Sequence, residues 1–429
     1  MKTFPTIVTA IFVLLALAGV LIFATYTSIN KSTIGTVSVW GSLPHSVFDS
    51  MIGALSKGNS NYSNVTYQVI PEDRIVPQLV EAIASGKGPD LVIFPESDLV
   101  GQADKLQTIP YSSYSKRTFQ DNFIQAGESF LTQDGVLGLP FTIDPIVMYW
   151  NRSLFATAGI ATPPRYWDEI STIAPKLTKA DKNSTLTVSA VSFGTWSNVD
   201  HAKEIFLTLL NQLGNPVIAL NDKGEYTSVL LGGKGGPTLP ADSALRFYTG
   251  FADPTQPLYS WNSSEPHSRD AFIAGNLAIY FGYSSELTSI RGANPNLNFD
   301  VAAVPAIRGG GQGVYGNMDG LSVPNGAKNP AGAFLLAEDL TAVNSQTFLQ
   351  TLIHLPSVRR DVSTTDPSDP YATIFRSAAL TAFTFLDPNP SATNSIFKRM
   401  TESVSSGKLQ VSEATGGAHQ ELQALLGVQ

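Results

Sequence analysis

The sequence predicts an α/β protein whose body is a parallel sheet covered by helices, preceded by an apolar amino-terminal segment. Two observations predict this class. Strand patterns and helix patterns alternate over residues 36–94, which is typical of parallel strands joined by helical crossovers. The segment Ile7–Ala24 is almost purely aliphatic, whereas the body that follows, roughly 400 residues, is long enough for two domains.

The alternation begins with three strands and two helices. Thr36–Trp40 alternates apolar and polar residues, which favours a strand. In Glu72–Ser85 apolar residues recur every four positions, as on one face of a helix, and Gly86 follows where a left-handed cap ends such a helix. The remaining elements here are a helix at Val47–Leu55 and strands at Val65–Ile70 and Leu91–Phe94.

Helix and strand patterns continue to the end of the chain. Ile146–Trp150 is predicted as a strand, and Pro163-Pro164 with acidic Asp168 and Glu169 marks the start of a helix. The later elements are a helix at Ile205–Leu213, strands at Phe299–Val304 and Leu321–Val323, helices at Ala331–Leu340 and Ser345–Leu352, helical residues over the last sixty positions, and loops at Gly232–Gly236 and Arg308–Gly313.

The amino-terminal segment predicts that the body is exported. About 20 apolar helical residues cross a bilayer core of roughly 30 Å. We interpret residues 1–30 as a transmembrane anchor, with a cleaved signal peptide as the alternative, because Lys2 before an apolar run fits both. The length of the run and the lack of a small-residue cleavage site before Lys31 favour the anchor. We expect a single-pass protein of the cell membrane with its body on the extracellular side.

Composition excludes several classes of protein. The chain has no cysteine, which excludes a lipid-modified cysteine anchor, disulfides and thiol chemistry. Its 27 Lys and Arg against 35 Asp and Glu give a net charge of -8, and no basic cluster occurs. Nucleic acid is therefore not an expected partner.

No catalytic motif stands out. The five histidines are scattered without metal-ligand spacing, and phosphate-loop and nucleophile-elbow motifs are missing from the sequence. Gly311-x-Gly313-x-x-Gly316 matches a dinucleotide pattern formally. Because the residues after it favour a strand rather than the required helix, we interpret it as a loop.

Several motifs follow one another along the body. The most specific is Ala84-Ser85-Gly86-Lys87-Gly88-Pro89-Asp90-Leu91-Val92. The others are Val39–Pro44, Gly138-Leu139-Pro140, Tyr149-Trp150-Asn151, Pro163–Glu169, Ala271–Ile279 with Phe281-Gly282-Tyr283, and Val304-Pro305 with the glycine-rich loop. In this order they resemble the extracellular solute-binding proteins of ABC importers, in the sugar-binding group that includes maltose-binding protein. One departure is Trp150, which intervenes where the family usually has Tyr-Asn.

The resemblance implies a periplasmic-binding-protein-like fold, with two α/β lobes joined by crossover strands and the ligand in the cleft between them. Lobe one would comprise residues 35–143 plus 320–366, and lobe two residues 145–315 plus 367–429. The first hinge then falls at Asp144-Pro145. The resemblance also implies a monomer that binds a small polar solute, a sugar or oligosaccharide, and passes it to an ABC permease, without cofactor, metal or catalysis.

Candidate ligand contacts follow from the ends of the strands, because ligands bind beyond the carboxyl ends of parallel strands. Carboxylates accept hydrogen bonds from sugar hydroxyls, and aromatic faces cover apolar patches. The candidates are Trp40, Gly41, Ser42, Phe94, Glu96, Ser97, Asp144, Trp196, Asn198, Tyr283, Tyr315 and Asn317. Asp144 lies where the family places an acidic contact; its alternative role is to fix the hinge turn. Purely structural roles are expected for Asp90, in ordering its loop, and for Trp167, in the core.

Three alternatives stay open at this point. Acidic candidates such as Glu96 and Asp144 suit a cationic ligand, a peptide or polyamine, as well as a sugar, and a phosphate ester is a further option. A surface carbohydrate hydrolase with an unrecognised carboxylate pair belongs to another class. A tethered sensor coupled to a kinase is the third.

Overall fold

Parallel strand pairing characterises the amino-terminal part of the body, as the sequence predicts. The structure, a computed structural model, describes residues 34–57, 60–222, 224–232, 239–363 and 369–427. The predicted anchor or signal at 1–30 lies outside the described residues, as does most of the predicted loop Gly232–Gly236. Among the helices of the described ranges, none is both long and apolar enough to cross a membrane.

The strands divide into short peripheral strands and two long ones. They are β1 (Val37–Gly41), β2 (Val65–Val69), β3 (Leu91–Pro95), β4 (Ile109–Pro110), β5 (Gly135–Val136), β6 (Leu139–Asn151), β7 (Lys179–Ala180), β8 (Leu186–Val191), β9 (Ile218–Leu220), β10 (Tyr226–Ser228), β11 (Leu277–Tyr283), β12 (Phe299–Ala302), β13 (Val314–Ser322) and β14 (Ala382–Phe383).

The α-helices lie between these strands and after them. They are α1 (His45–Ser56), α2 (Glu72–Ala84), α3 (Leu99–Gln102), α4 (Lys116–Asn122), α5 (Arg152–Thr157), α6 (Trp167–Leu177), α7 (Ala202–Gln212), α8 (Pro240–Thr249), α9 (Ser268–Ile273), α10 (Glu286–Ala293), α11 (Pro330–Leu340), α12 (Val343–Ile353), α13 (Ala372–Thr381), α14 (Pro390–Ser405) and α15 (Val411–Leu426).

One large sheet organises the molecule. In the described residues its strand order is β2-β1-β3-β13-β6-β11-β8-β7, with β12 paired to β6 and β14 to β13. β1 pairs in parallel with β2 and β3. β6 and β13 are antiparallel and lie in the middle, so that each runs from one half of the sheet into the other.

Hydrophobic side chains form two separate cores along these central strands. One core contains Ile143 of β6 and Met318 of β13. The other contains Ile146 and Tyr315 of the same two strands. The chain therefore passes from one core to the other beside Asp144, which makes the fold two-lobed. The residue boundaries given above for the lobes stay a prediction, which this division supports.

The two central strands are much longer than the sequence predicts. Only Ile146–Trp150 and Leu321–Val323 carry strand patterns, because Pro140 and Pro145 act as breakers in β6. In the structure, Pro145 lies where β6 exchanges β13 for β11 as its partner. β13 carries polar residues and glycines in its middle, which hides its strand character.

Other local predictions are confirmed. Gly86 has φ of 68° directly after the carboxyl end of α2, the left-handed conformation expected of its cap. Gly316 belongs to β13 and no helix follows it, so the dinucleotide interpretation is rightly rejected. Trp167 is 4% exposed and donates its Nε1 hydrogen to Gln212 Oε1 at 2.8 Å, in the core.

Asp90 has the structural role expected of it. Its Oδ2 accepts hydrogen bonds from the backbone N–H and the hydroxyl of Ser38, at 2.9 and 2.8 Å. Its Oδ1 accepts from the backbone N–H groups of Lys328 and Asn329. Burial alone would raise the pKa of Asp90, but these hydrogen bonds together hold it below the ordinary value. Asp90 thus joins β1 to the turn before α11.

Candidate functional site

The central strands present a row of polar side chains on one face. Residues two apart on a strand point to the same side, and residues directly opposite on antiparallel strands share a face. Tyr315, Asn317 and Asp319 of β13 therefore face the same way as Thr142 and Asp144 of β6, since Asn317 pairs with Asp144 and Asp319 with Thr142. This row lies where the two cores meet, at the floor of the cleft between the lobes.

Asp144 connects the floor to lobe two. Its Oδ1 accepts hydrogen bonds from the Ser284 hydroxyl at 2.7 Å and from the backbone N–H of Ser285 at 3.1 Å. Burial raises the pKa of Asp144, and these serine donors partly oppose that effect. The carboxylate thus holds the turn after β11 against the crossover strand while it remains half-buried at the floor.

Tyr283 stands at the end of β11, beside this turn. Its backbone N–H donates to Glu286 Oε1 at 2.9 Å, and its ring meets the ring of His201 edge-on, with centroids 4.6 Å apart. His201 in turn bonds to the same Glu286 oxygen at 2.7 Å. Burial alone would lower the pKa of His201, but Glu286 raises it. Tyr283 is therefore positioned by a polar network.

Burial and nearby carboxylates raise the pKa values of both Tyr315 and Tyr283. Burial, and after it the carboxylates of Glu204, Glu96, Asp387 and Glu72, raise the pKa of Tyr315. The pKa of Tyr283 is raised by burial and then by Glu204, Tyr315, Asp144 and Glu72. Strand pairing places three predicted site residues, Asp144, Tyr283 and Tyr315, on neighbouring strands around the point where β6 changes partner. Their contact with a ligand stays a prediction.

Glu96 and Ser97 follow β3 on the wall formed by lobe one. Glu96 is 2% exposed and its Oε1 has no hydrogen-bond partner among the described residues. Burial raises its pKa to about 7, although the neighbouring hydroxyls of Thr384 and Ser129 act in the opposite direction. Ser97 lines an open pocket of about 800 Å³ together with Asp98.

That pocket lies between the lobes. Its lining includes Glu72, Asp73 and Asp98 from lobe one and Asp387 and Ser391 from lobe two. A second pocket of about 530 Å³ is lined by Pro390 and Ser391 as well, and by Trp196, His201, Lys203 and Glu204. The two pockets therefore meet at Pro390 and Ser391; the larger lies between the lobes, whereas the described lining of the smaller belongs to lobe two.

The candidates at the end of β1 lie on the lobe-one side. Trp40 is half-buried against the lobe-one core, and Ser42 is half-buried in the loop that follows. Gly41 is required by packing, because a Cβ there would come within 2.5 Å of Ile93 Cδ1. Phe94 is fully buried in the same core, which supports a structural role for its side chain. Contact of these residues with a ligand stays a prediction.

Trp196 and Asn198 already have partners within lobe two. Trp196 is 5% exposed, and its Nε1 donates to Asn394 Oδ1 at 2.9 Å, although its edge lines the smaller pocket. The Asn198 amide nitrogen donates to the backbone carbonyls of Asn262 and Glu265. Both side chains fix the local structure here; whether they also touch a ligand stays a prediction.

Sequence reasoning missed four acidic residues around the cleft. Glu72 lies just beyond the carboxyl end of β2, so the strand-end rule would have pointed to it. Asp319 is two residues from Asn317 on the same face, and burial raises its pKa to about 7. Glu204 of α7 and Asp387 after β14 carry no sequence signal that would have placed them here.

Basic groups at the cleft are few. Lys203 is an ion-pair partner of Asp387 and donates to Thr393 Oγ1 at 2.8 Å, with its side chain 12% exposed. Lys398 lines the smaller pocket. Within the described ranges, no three His, Asp or Glu side chains are grouped so as to hold a metal ion.

A two-lobed fold with a polar and aromatic cleft between the lobes defines the class of solute-binding proteins. A model of the family described as bacterial extracellular solute-binding protein matches residues 51–375. The chain belongs to this family. Because the family consists of binding proteins, the hydrolase alternative is set aside.

Similar proteins agree with this assignment. A Brucella abortus (strain 2308) protein, named as a binding protein without a stated ligand, is 26% identical over 328 residues, which cover 76% of this chain and 75% of that protein. The cyclic α-maltosyl-1,6-maltose binding protein of Arthrobacter globiformis has a TM-score of 0.72 at 18% identity, over 92% of this chain and 99% of that one. The Thermotoga lettingae solute-binding protein with bound α-D-tagatose has a TM-score of 0.68 at 21% identity, over 91% and 100%. These structures establish the likeness of the fold.

Proposed function

We propose that this protein is a membrane-tethered receptor that captures a sugar or oligosaccharide between its lobes and passes it, as a monomer, to an ABC importer. Family membership supports the binding role. The similar structures named above carry or are named for saccharides, which supports the ligand class. No covalent step is required, because the importer's ATPase supplies the energy of transport.

The observation that carries this proposal is the polar row of the central strands where the two cores meet, with Asn317 directly opposite Asp144 and with Tyr283 at the end of the neighbouring strand. A tyrosine ring offers an apolar face to a sugar ring, and the Asp144 carboxylate offers acceptors for its hydroxyl groups. A concave site with aromatic faces and a few placed polar groups is typical for a small polar ligand.

Closure of the lobes would follow ligand binding. The proposed units are lobe one, residues 35–143 plus 320–366, and lobe two, residues 145–315 plus 367–429. The separate cores on either side of Asp144-Pro145 support rotation about that point. A ligand that contacts both lobes shifts the population toward the closed state. The size of the shift is set by the difference between its affinities for the closed and open states.

The tether is proposed from residues 1–30. Expression of the full chain in a bacterial host, followed by membrane fractionation and mass spectrometry of the amino-terminal peptide, tests it. An uncleaved apolar segment in the membrane fraction is expected. Recovery of a soluble protein that begins near Lys31 would indicate a cleaved signal peptide instead.

Ligand screening tests the receptor role. Residues 34–429 would be heated with tagatose, maltotetraose, mannotriose and acarbose, and the melting temperature recorded. A ligand at 100 times its Kd adds about 2.7 kcal/mol to the free energy of unfolding. Tyr283→Leu should abolish the shift, whereas Tyr111→Leu, at a half-buried tyrosine of lobe one away from the cleft, should keep it. If no saccharide in a broad panel raises the melting temperature, the sugar assignment is wrong.

A further inference from the structure

Glu286, the first residue of α10, is a largely buried carboxylate with two donors at each oxygen. Its Oε1 accepts from the backbone N–H of Tyr283 at 2.9 Å and lies 2.7 Å from His201 Nε2. Its Oε2 accepts from the Tyr280 hydroxyl at 2.8 Å and from Arg269 Nε at 2.9 Å. An ionised carboxylate only accepts hydrogen bonds, so Nε2 of His201 carries a proton. These contacts tie the end of β11 to the residue that precedes α7.

The backbone of His201 has a conformation that is uncommon for a residue with a side chain. Its φ is 60°, in the left-handed region, directly before α7. Its imidazole meets the Tyr283 ring edge-on, with centroids 4.6 Å apart, and lines the smaller pocket together with Trp196 and Glu204. Backbone strain of this kind persists where surrounding contacts hold it, and it points to a role for the side chain.

The turn of residues 283–286 also meets the hinge strand. The Ser284 hydroxyl and the backbone N–H of Ser285 donate to Asp144 Oδ1 at 2.7 and 3.1 Å. The turn therefore has His201 on one side, through Glu286, and Asp144 on the other. A displacement of Glu286 would move both the tyrosine ring at the start of the turn and the donors of Asp144.

Carboxylates around His201 favour its cationic form. Burial alone would lower the pKa of His201, but Glu286, and after it Glu204 and Asp200, raise it. Asp200 also lies 3.5 Å from His267 Nδ1. The raised pKa means that the His201 ring keeps its proton to higher pH than a free histidine does.

Cations nearby act in the opposite direction. Arg269 shares Glu286 with His201, and Lys203 and Lys398 line the same pocket. The pKa of His201 is raised in their presence, so the carboxylates outweigh these cations.

We propose that the His201 cation is a positioning residue for solute binding: through Glu286 it holds Tyr283, and the serines that meet Asp144, in the arrangement that receives the ligand. This inference rests on the proposed function and adds to it a dependence of affinity on pH. An imidazolium bonds a carboxylate about twice as strongly as a neutral donor does. Loss of the ring proton therefore loosens Glu286 and the turn, and affinity falls as pH rises through the raised pKa of His201.

Calorimetric titration of the full chain in detergent with tagatose, maltotetraose and mannotriose tests this inference. The parent and His201→Asn are compared at about pH 6 and about pH 9, on either side of the histidine range. Asparagine tolerates the left-handed backbone but lacks the cationic ring. We expect the parent to bind about tenfold more tightly than His201→Asn at the lower pH and about twofold more tightly at the higher pH, on the order of one charge-assisted hydrogen bond.

The ratio of the two affinities at each pH isolates the effect of His201. Burial raises the pKa of Glu96 and of Asp319 to about 7, so the affinity of the parent alone also reflects these carboxyls. Both carboxyls are present in the parent and in His201→Asn, and their effect cancels in the ratio.

Two further variants complete the test. His354→Asn is the matched control, because His354 follows α12 in lobe one, has φ of 57° and is exposed. It should bind as the parent does at both pH values. Glu286→Gln keeps an acceptor for Tyr283 but not the charge that holds the cation, so it should also weaken binding mainly at the lower pH. Melting temperatures without ligand establish that each variant is folded, and Glu286→Gln decides if His201→Asn is not.

The contrary outcomes are distinct. An affinity ratio that is the same at both pH values, or equal affinities of the parent and His201→Asn, would overturn the positioning role and leave the proposed receptor intact. Failure of every saccharide in a broad panel to bind the parent at either pH would overturn the proposed function itself, and this inference with it.

Discussion

Asp144 of β6 and Ser284, which follows β11, are joined by a hydrogen bond of 2.7 Å in which the serine hydroxyl donates to the carboxylate. Residues 144 and 284 are far apart in sequence and meet where β6 leaves β13 and pairs with β11. Asn317 of β13 lies directly opposite Asp144, so this carboxylate stands where three strands and the two cores meet. We expect a solute at this junction to be within reach of both lobes at once.

Asp144→Asn separates the charge of this residue from its structural role. The amide oxygen can still accept hydrogen bonds from Ser284 and Ser285, so the melting temperature should change little. Loss of the charged acceptor should weaken ligand binding about tenfold, the order expected for one hydrogen bond to a charged group. Asp144→Ala should in addition lower the free energy of unfolding by about 1–3 kcal/mol, since the serine donors lose their partner. Equal affinities for the parent and Asp144→Asn would remove Asp144 from the ligand contacts.

Stability should fall as pH rises from about 4.5 to 7, because of Glu96. Burial raises the pKa of this carboxyl from 4.5 to about 7, so the folded state keeps a proton that the unfolded chain has released in this window. Glu96→Gln should flatten this part of the pH profile by up to roughly 3 kcal/mol, since one pH unit between the two pKa values is worth about 1.4 kcal/mol. Chemical denaturation between pH 4 and pH 8 measures the change.

Asp319 adds a parallel effect over a slightly wider window. Its pKa rises from 3.8 to about 7 through burial, with Glu72 the next contributor. Asp319→Asn should flatten the profile as Glu96→Gln does, whereas the exposed Glu81→Gln should not. A parent profile that is flat between pH 4.5 and 7 would contradict the burial of both carboxyls.

Asp90 should show the opposite dependence on pH. Its hydrogen bonds hold its pKa below the ordinary value, so its contribution to stability is present at neutral pH and is lost as pH falls through the folded-state pKa. Asp90→Ala should cost roughly 2–4 kcal/mol at pH 7, because it leaves backbone donors of Ser38, Lys328 and Asn329 unpaired. The exposed Asp134→Ala provides the control in urea unfolding. A cost below 0.5 kcal/mol, on the order of a surface change, would contradict this role.

Gln212 should contribute as much to the stability of lobe two as Asp90 contributes to that of lobe one. Its side chain accepts from Trp167 Nε1 and from the backbone of Ile307, and donates to the carbonyls of Pro305 and Gly313. Gln212→Leu should therefore lower the free energy of unfolding by about 2–4 kcal/mol. Asn211→Leu, one position earlier on α7, is the control. Because Asn211 is half-buried, this substitution should lower the free energy of unfolding less than Gln212→Leu does. Equal urea midpoints for the two variants would be inconsistent with the network.

The first α/β unit could be predicted closely from its sequence. Apolar alternation in Thr36–Trp40 and four-residue spacing in Glu72–Ser85 reflect burial on one side, and the observed β1 and α2 differ from them by a residue or so. The conformation of Gly86 was predictable because glycine adopts the positive φ of a helix cap without strain. The local sequence pattern is sufficient to predict an element that has one buried face and one face exposed to solvent.

The cleft floor was harder to predict. β13 carries the partly exposed Asn317 and Asp319 where the two cores meet, so its sequence lacks a strand's apolar alternation. Glu204 and Asp387 reach the site only through tertiary packing. Trp196 and Asn198 show the reverse, since residue type suggests a ligand contact while the structure gives their side chains internal partners.

A crystal structure of residues 34–429 with the panel compound that raises the melting temperature most is the most direct test. We expect the compound to lie against Tyr283 and Tyr315, with polar contacts to side chains of both lobes. A compound bound to one lobe alone, or in the separate pocket lined by Arg165, Tyr166 and Val304, would contradict it.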